Sequence, residues 1–428
     1  MPFRKIFLIV AFTFGLACAP VHATPATTSS PPPSTVSVTT PLPSARIQNT
    51  LADYKRWLNL VEKRSAVAGL ATAVVIGDKV VFEGTIGYAD AATKEPVTPT
   101  TVFRLASLSK AFATALTGLL VDDGKLSWDT KLIDVLPYFK LKDAQAAEQA
   151  TVSDILGQKI GLPRNTYDNM LEGDVPYQEL VRKLDEVDMT CAVGQCYGYQ
   201  NVAFSMIGDV VLARTGDFFY HQVDKRLFYP LGMSTASYGR AALESSKSWA
   251  RPHHASKRGW IPFEPNETYY GVAPAAGVNA SLRDMEKWLI AQMGGRQDVL
   301  PTSLLDALHA PGVATPSELR PTAWRRARLT DAHYALGWRV YEYAGETLIY
   351  HAGAVAGYRT MIGFFPKYNA GVVTMWNSSG PTPSGLMPMV FDDLLGLPHV
   401  DWAQIESEPK KPASPRGKQR KVRAKRHR

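Results

Sequence analysis

The spacing of apolar residues switches between two periods along this chain, and the switches outline its fold. Ile47, Leu51, Tyr54, Leu58 and Val61 recur at steps of four and three, which predicts an amphipathic helix. Leu70 to Ile76 and Lys79 to Ile86 are β-rich runs joined by Gly77-Asp78, the pattern of a hairpin with a two-residue turn. From Leu105 the apolar positions 105, 108, 112, 115, 116, 119 and 120 predict a helix buried on most sides, stopped by Gly124. Helical and loop-rich texture follows from Lys125 to about Leu329. Within it Asn201 opens an apolar helix running to Arg214, and Ser281-x-x-Asp284 has the form of a capping box. The Pro- and Arg-rich stretch 310–331 reads as a loop, and His253-His254 as a solvated pair. Strand texture returns at 336–343, 347–351, 358–365 and 371–376, and a helix over 385–395 closes the core. Strands at both ends predict an α+β fold. One antiparallel sheet is built from both chain ends and covered by helices, and a mostly helical lobe is inserted at about 125–330.

The flanks differ from this body. Met1-Pro-Phe-Arg-Lys5, an apolar run from Ile6 to Ala19 and the end Val21-His-Ala23 predict a secretory signal peptide, 1–23. The apolar run is too short to span a bilayer, so no membrane span is expected in the mature chain. Residues 24–45 are Thr, Ser and Pro with little apolar content, a disordered linker. Residues 398–428 read as a basic disordered tail, with ten Lys or Arg and no acid between Lys410 and Arg428. The formal charge of +8 therefore describes the tail: residues 24–403 hold 35 basic and 37 acidic residues, a net of −2. That balance argues against nucleic acid as a partner of the body. The tail is a candidate for contact with polyanions or envelope polymers. Export, periplasmic or secreted, also changes how the cysteines read. Cys18 leaves with the signal, and Cys191 and Cys196 remain as a candidate disulfide. No His or acid clusters near them at metal-ligand spacing.

Three short motifs carry the candidate chemistry. Ser107 and Lys110, three apart near the start of the buried helix, share one face. Burial drives a lysine toward its neutral form, and such an amine beside a serine activates a weak nucleophile. The bland alternative is a surface Ser and Lys, and a second Ser-x-x-Lys at Ser407–Lys410 lies in the tail. Cys196-Tyr-Gly-Tyr-Gln-Asn201 places Tyr199 and Asn201 before an apolar helix. There the tyrosine can serve as a general base and the asparagine can hold the lysine or a substrate amide. Read structurally, they are a core aromatic and a helix cap. Tyr167-Asp-Asn169 has the same spacing but no apolar helix behind it. His351-Ala-Gly-Ala354 ends a strand-like run, where a histidine can supply a proton and Gly353 lets backbone approach a substrate.

Taken together, and in this order, the motifs resemble the serine β-lactamase and penicillin-binding-protein superfamily. The likeness is to the branch around class C β-lactamases, D-Ala-D-Ala carboxypeptidases, D-aminopeptidases and related esterases. Phe103-Arg-Leu-Ala-Ser-Leu-Ser-Lys110, Gly161-Leu-Pro163, Pro230-Leu-Gly-Met233 and Gly277-Val-Asn-Ala-Ser-Leu-Arg-Asp284 share in it, over residues 46–397. The resemblance implies a site in the cleft between sheet and helical lobe. Ser107 would be the acyl-forming nucleophile, with Lys110 and Tyr199 shuttling its proton and Asn201 supporting them. The N–H groups of Ser107 and Ala354 would form an oxyanion hole. His351 would stand where many lactamases keep a lysine, and Ala352 and Gly353 would line the substrate. No metal or organic cofactor is implied. The expected function is an exported serine hydrolase that forms an acyl-enzyme on a small-molecule or peptide substrate carrying an amide or ester. The alternatives are a true class C-like β-lactamase and a non-catalytic penicillin- or peptidoglycan-binding sensor. One departure stands out: class C enzymes carry Lys-Thr-Gly where this chain has His-Ala-Gly, which removes a fixed charge and a hydroxyl.

Overall fold

The computed structural model describes residues 39–407. The expected signal peptide, most of the linker and the basic stretch of the tail lie outside those residues, as does Lys410 of the second Ser-x-x-Lys. Helix α1 (Ser44–Lys63) turns Tyr54, Leu58 and Val61 of the predicted stripe inward together with Trp57, while Ile47 and Leu51 are half-buried. Strands β1 (Gly69–Ile76) and β2 (Lys79–Asp90) form the hairpin, followed by the short β3 (Glu95–Pro96) and β4 (Val102–Arg104). Helix α2 (Ser109–Asp122) comes next, buried at nearly every position. The insertion that follows contains α3 (Val202–Thr215), which ends where Gly216 takes a left-handed conformation.

It also contains strands that the sequence pattern does not reveal. They are β5 (Ser237–Tyr238), the hairpin β6 (His253–Ser256) with β7 (Gly259–Pro262), and β8 (Val278–Ser281). Strand β8 pairs with both β4 and β5 in a small separate sheet. Helix α4 (Leu282–Ile290) starts at the Ser281/Asp284 capping box, as predicted. It then packs on the main sheet rather than in the lobe. A Cβ at Gly371 of the last strand would lie 2.9 Å from Leu289 and 3.0 Å from Met293, so the helical lobe ends before residue 330.

After α4 come β9 (Val313–Ala314), α5 (Ala323–Arg328), β10 (Leu329–Tyr334), β11 (Arg339–Tyr343), β12 (Glu346–Val355), β13 (Tyr358–Phe365), β14 (Ala370–Trp376) and α6 (Leu386–Leu395). Among the described residues the main sheet has nine strands, in the order β3-β2-β1-β14-β13-β12-β11-β10-β9. Its pairings are antiparallel, and β1 from one chain end lies against β14 from the other. One face carries α1 and α6, with Trp57, Tyr343, Phe365, Trp376 and Phe391 in its core. The other carries α2, α4 and the helical insertion. With both faces covered, β1 and β14 are buried along nearly their whole length instead of alternating, and only Thr72 and Thr374 interrupt their apolar side chains. Each fully buried large side chain here contributes roughly 1.5–3 kcal/mol.

Three expectations need correction. The stretch 310–331, expected as a loop, holds β9, α5 and the start of β10, because Trp324 is buried beside Tyr343 and Tyr350. The boundaries at 45 and 397 also shift outward. Helix α1 begins at Ser44, and residues 398–407 pack back on the sheet's outer layer through buried Ala403 and Ile405. There Glu406 accepts from Trp57 Nε1 at 2.9 Å and Arg56 Nη1 at 2.8 Å. Lastly, His253 is fully buried rather than solvated, its Nε2 accepting from the N–H of Ala91 at 3.0 Å.

Candidate active site

The site is built where α2, α3 and β12 converge. Ser107 does not lie in α2 itself but on the 3₁₀ turn Ala106–Leu108 that feeds into it. Ala106 has φ 50°, left-handed backbone that costs a non-glycine residue roughly 1–2 kcal/mol. The turn is held by buried Ser109, whose hydroxyl donates to Ala106 O at 2.6 Å and accepts from the N–H of Val278 at 2.9 Å. Strand β12 passes directly behind. A Cβ on Gly353 would lie 2.1 Å from Leu105 O, 2.5 Å from Thr360 Oγ1 and 3.1 Å from the nitrogen of Ser107. Only glycine allows that approach, which brings the backbone of Ala354 to the same cleft as Ser107.

One turn into α2, Lys110 is completely buried. Its Nζ donates to Asn201 Oδ1 at 2.7 Å and Ala275 O at 3.2 Å, and lies 4.6 Å from the Tyr199 ring centre and 5.2 Å from that of Phe204. None of these partners is charged. Burial pulls the amine from 10.5 down to about 7; the nearby Asp168 carboxylate acts against the shift and Arg339 with it. Asn201 in turn donates from Nδ2 to Asp168 Oδ2 at 2.8 Å, so the asparagine relays between lysine and carboxylate. Asp168 belongs to Tyr167-Asp-Asn169, the competing spacing set aside in the sequence. The structure puts its middle residue at the site, with its carboxyl held above the usual range by burial.

The phenol of Tyr199, a candidate general base in the sequence, is held against losing its proton. Burial raises its phenol to about 12, and the pull of the adjacent Ser107 hydroxyl and of Arg339 does not reverse this. Of the two groups, Lys110 is the one pulled toward neutrality and Tyr199 the one held protonated.

His351 is also reassigned. It is buried beneath the cleft and does not line it. Burial, then the charges of Arg339 and Lys110, hold it well below its ordinary 6.5. Its contacts fit one neutral tautomer, Nδ1–H donating to Ala352 O at 3.0 Å and Nε2 accepting from the Tyr334 hydroxyl at 3.3 Å. A fixed cation of the site is instead Arg339, from β11, which sequence reasoning missed. It lies 3.0 Å from Glu318 Oε1 and 5.8 Å from the Tyr199 ring centre. Glu318 pairs with Arg325 as well. Burial alone would raise Glu318, but the two guanidinium charges prevail and keep it low, so the triad carries a net positive charge.

A cleft of about 350 Å³ is lined by Ser107, Tyr199, Asn201, Arg339 and Ala352–Val355, with Arg164, Asn165, Asp168, Tyr269 and Ala276 completing it. The loop before Tyr199 carries the Cys191–Cys196 disulfide that the sequence suggests. Among the described residues no group of three or more His, Cys, Asp or Glu is placed to hold a metal ion. No described helix is long and apolar enough to cross a membrane.

A serine on a left-handed turn, a buried neutral lysine one helical turn on, and a tyrosine–asparagine pair at the seam of an α+β fold define the serine β-lactamase and penicillin-binding-protein superfamily. Within it the chain belongs to the β-lactamase family, whose model matches residues 57–390. It is similar to the unguisins hydrolase ungD′ of Aspergillus campestris, 27% identical over 340 residues, which are 76% of this chain and 61% of that protein. It is also similar to penicillin-binding protein 4 of Amycolatopsis lactamdurans, 25% identical over 84% of this chain and 94% of the relative. Among solved structures it resembles the octameric penicillin-binding protein homologue from Pyrococcus abyssi. The TM-score is 0.72 at 23% identity, covering 81% of this chain and 77% of that one, a likeness of fold.

Proposed function

We propose that the protein is an exported serine hydrolase that cleaves an amide or ester through an acyl-enzyme, and that its natural substrates are D-amino-acid or cell-wall peptides or esters. The observation that carries this reading is Lys110, an amine with only uncharged partners, three residues after a serine that opens on the cleft. Neutral Lys110 takes the proton of Ser107 as Oγ bonds to the substrate carbonyl carbon. The carbonyl electrons move to oxygen, where the N–H groups of Ser107 and Ala354 receive them. Collapse expels the amine or alkoxide, which is protonated through Tyr199 at the expense of the Lys110 ammonium. Water then attacks the acyl carbon, Lys110 accepts its proton, and Ser107 leaves and recovers a proton.

Arg339, with Arg164, favours a substrate bearing a carboxylate near the scissile bond. The names of the relatives, a hydrolase of unguisins and a penicillin-binding protein, support the hydrolase reading. The signal-like start and the disulfide support export. The rival reading as a true β-lactamase is favoured by the family match and disfavoured by Ala352, which offers no hydroxyl.

The test is intact-mass analysis after exposure to a fluorophosphonate, a penicillin, a D-Ala-D-Ala peptide and a p-nitrophenyl ester. A single adduct, absent from Ser107→Ala, together with turnover of peptide or ester is the expected result. Adduct formation without turnover of any substrate would favour the sensor reading, and nitrocefin as the best substrate would favour the lactamase. Arg339→Gln should raise KM for carboxylate-bearing substrates roughly tenfold or more relative to their amides.

A further inference from the structure

A second cavity, about 330 Å³, lies on the opposite face of β12 and shares Ala352, Gly353 and Ala354 with the cleft. Side chains alternate along this strand. Ile349 and Val355 join the core under α2, while Leu348, Tyr350 and Ala352 join the core under α1 and α6. Trp324, Tyr350, Met361 and Trp376 make the walls of the second cavity, all buried, and Arg325 sits among them with its Nε unpartnered. Its size falls in the range of small-ligand sites, roughly 300–1,000 Å³.

The strand between the two cavities is paired on one side only. Strand β11 pairs with β12 from Glu346 to Tyr350 and stops at Arg339. From His351 to Val355, among the described residues, β12 pairs only with β13, and Ala354 is exposed. An extended peptide laid along that open edge would direct successive side chains to opposite faces. One would enter the Arg339 cleft, and its neighbour would pass over Ala352 and Ala354 into the aromatic cavity.

We infer that this cavity is a side-chain subsite selecting a bulky apolar residue, aromatic above aliphatic, adjacent to the scissile bond. Apolar area buried against Trp324, Tyr350 and Trp376 supplies the preference, and the Arg325 guanidinium favours a π-face over an alkyl group. The inference rests on the hydrolase reading for its placement next to a scissile bond, but the cavity can be tested without turnover.

Two dipeptide series are measured, N-acetyl-D-Ala-D-X and N-acetyl-D-X-D-Ala, with X as Gly, Leu or Phe. One series should show kcat/KM for Phe above Gly by roughly tenfold or more. Trp324→Ala and, separately, Ser384→Phe, which fills the cavity from a half-buried position in the 3₁₀ turn Thr382–Gly385, should each collapse that ratio. The second variant guards against Trp324→Ala simply failing to fold. Binding of the same dipeptides to Ser107→Ala by titration calorimetry should rank them alike. Phe-selective binding without turnover in the parent would sink the hydrolase reading and keep the subsite. A Phe-to-Gly ratio within twofold in both series and in binding overturns the subsite, as does a ratio that neither variant changes.

Discussion

Lys110 should lower this protein's stability at neutral pH by the cost of keeping its amine uncharged, and that penalty should fade as pH rises. An unfolded chain titrates this amine at its ordinary 10.5, whereas the folded chain holds it at about 7. Between those values the unfolded state binds one more proton, so stability gains about 1.4 kcal/mol per pH unit from this residue alone. Across the whole window the gain is about 5 kcal/mol, the cost of keeping the amine neutral while it would be charged in water. Below pH 7 both states are protonated and that cost is carried in full; above 10.5 neither is, and it vanishes. Lys110→Met removes the cost but strands Asn201 Oδ1 and Ala275 O, which takes back roughly 1–3 kcal/mol for each unpaired buried group. The variant should therefore lie between about 3 kcal/mol more and about 1 kcal/mol less stable than the parent at pH 7, with turnover lost, and should lose ground to the parent as pH rises.

Urea denaturation of both proteins at pH 7 and pH 9 measures the difference, which should shift toward the parent by about 2 kcal/mol between the two. The parent's kcat/KM should rise through pH 7 as the amine loses its proton. A stability gap that does not change with pH would refute the assignment. So would an activity limb that appears only above pH 9, because either means the amine is charged in the folded protein.

Three further outcomes are expected. Gly353→Ala should cut kcat/KM on the order of 10²-fold and lower the melting temperature, since its Cβ cannot sit 2.1 Å from Leu105 O without moving β12 off Ser107. Normal activity would show that the strand has slack. His351 should stay neutral by imidazole NMR well below pH 6.5, and its folded-state depression means stability falls as pH drops through 6.5. His351→Gln should leave the acid limb of activity where it is, and a displaced limb would return the titration to the histidine. Ser109→Ala should cost roughly 1–3 kcal/mol and lower activity, because it unties the Ala106 turn from β8; a silent substitution would show that the turn holds itself.

Ser107, Lys110, Tyr199 and Asn201 were legible because each sits beside a helix whose apolar spacing announces it. The helical stripe of Ile47 to Val61 and the β1–β2 hairpin were legible for the same reason: local periodicity predicts local structure. Arg339 was not. It lies in a short strand of mostly buried residues, and nothing in Arg339-Val-Tyr-Glu-Tyr343 says which way the guanidinium points until β11 pairs with β12. Protonation was equally hidden, since Tyr199 and His351 take their states from burial that only the assembled molecule creates. Residues 398–407 misled through composition. Three apolar contacts, Trp402, Ala403 and Ile405, suffice to dock a segment that otherwise reads as polar.

The pairing of β1 with β14 has a consequence for the order of assembly. Leu70 meets Trp376, so nearly the whole domain must be synthesised before the centre of the sheet can close. Until then the β1–β2 hairpin presents a mostly apolar strand with a free edge, which invites pairing with a neighbouring chain. Any truncation upstream of β14 leaves that edge permanently open. Such fragments should aggregate instead of folding as smaller units, however intact their helices.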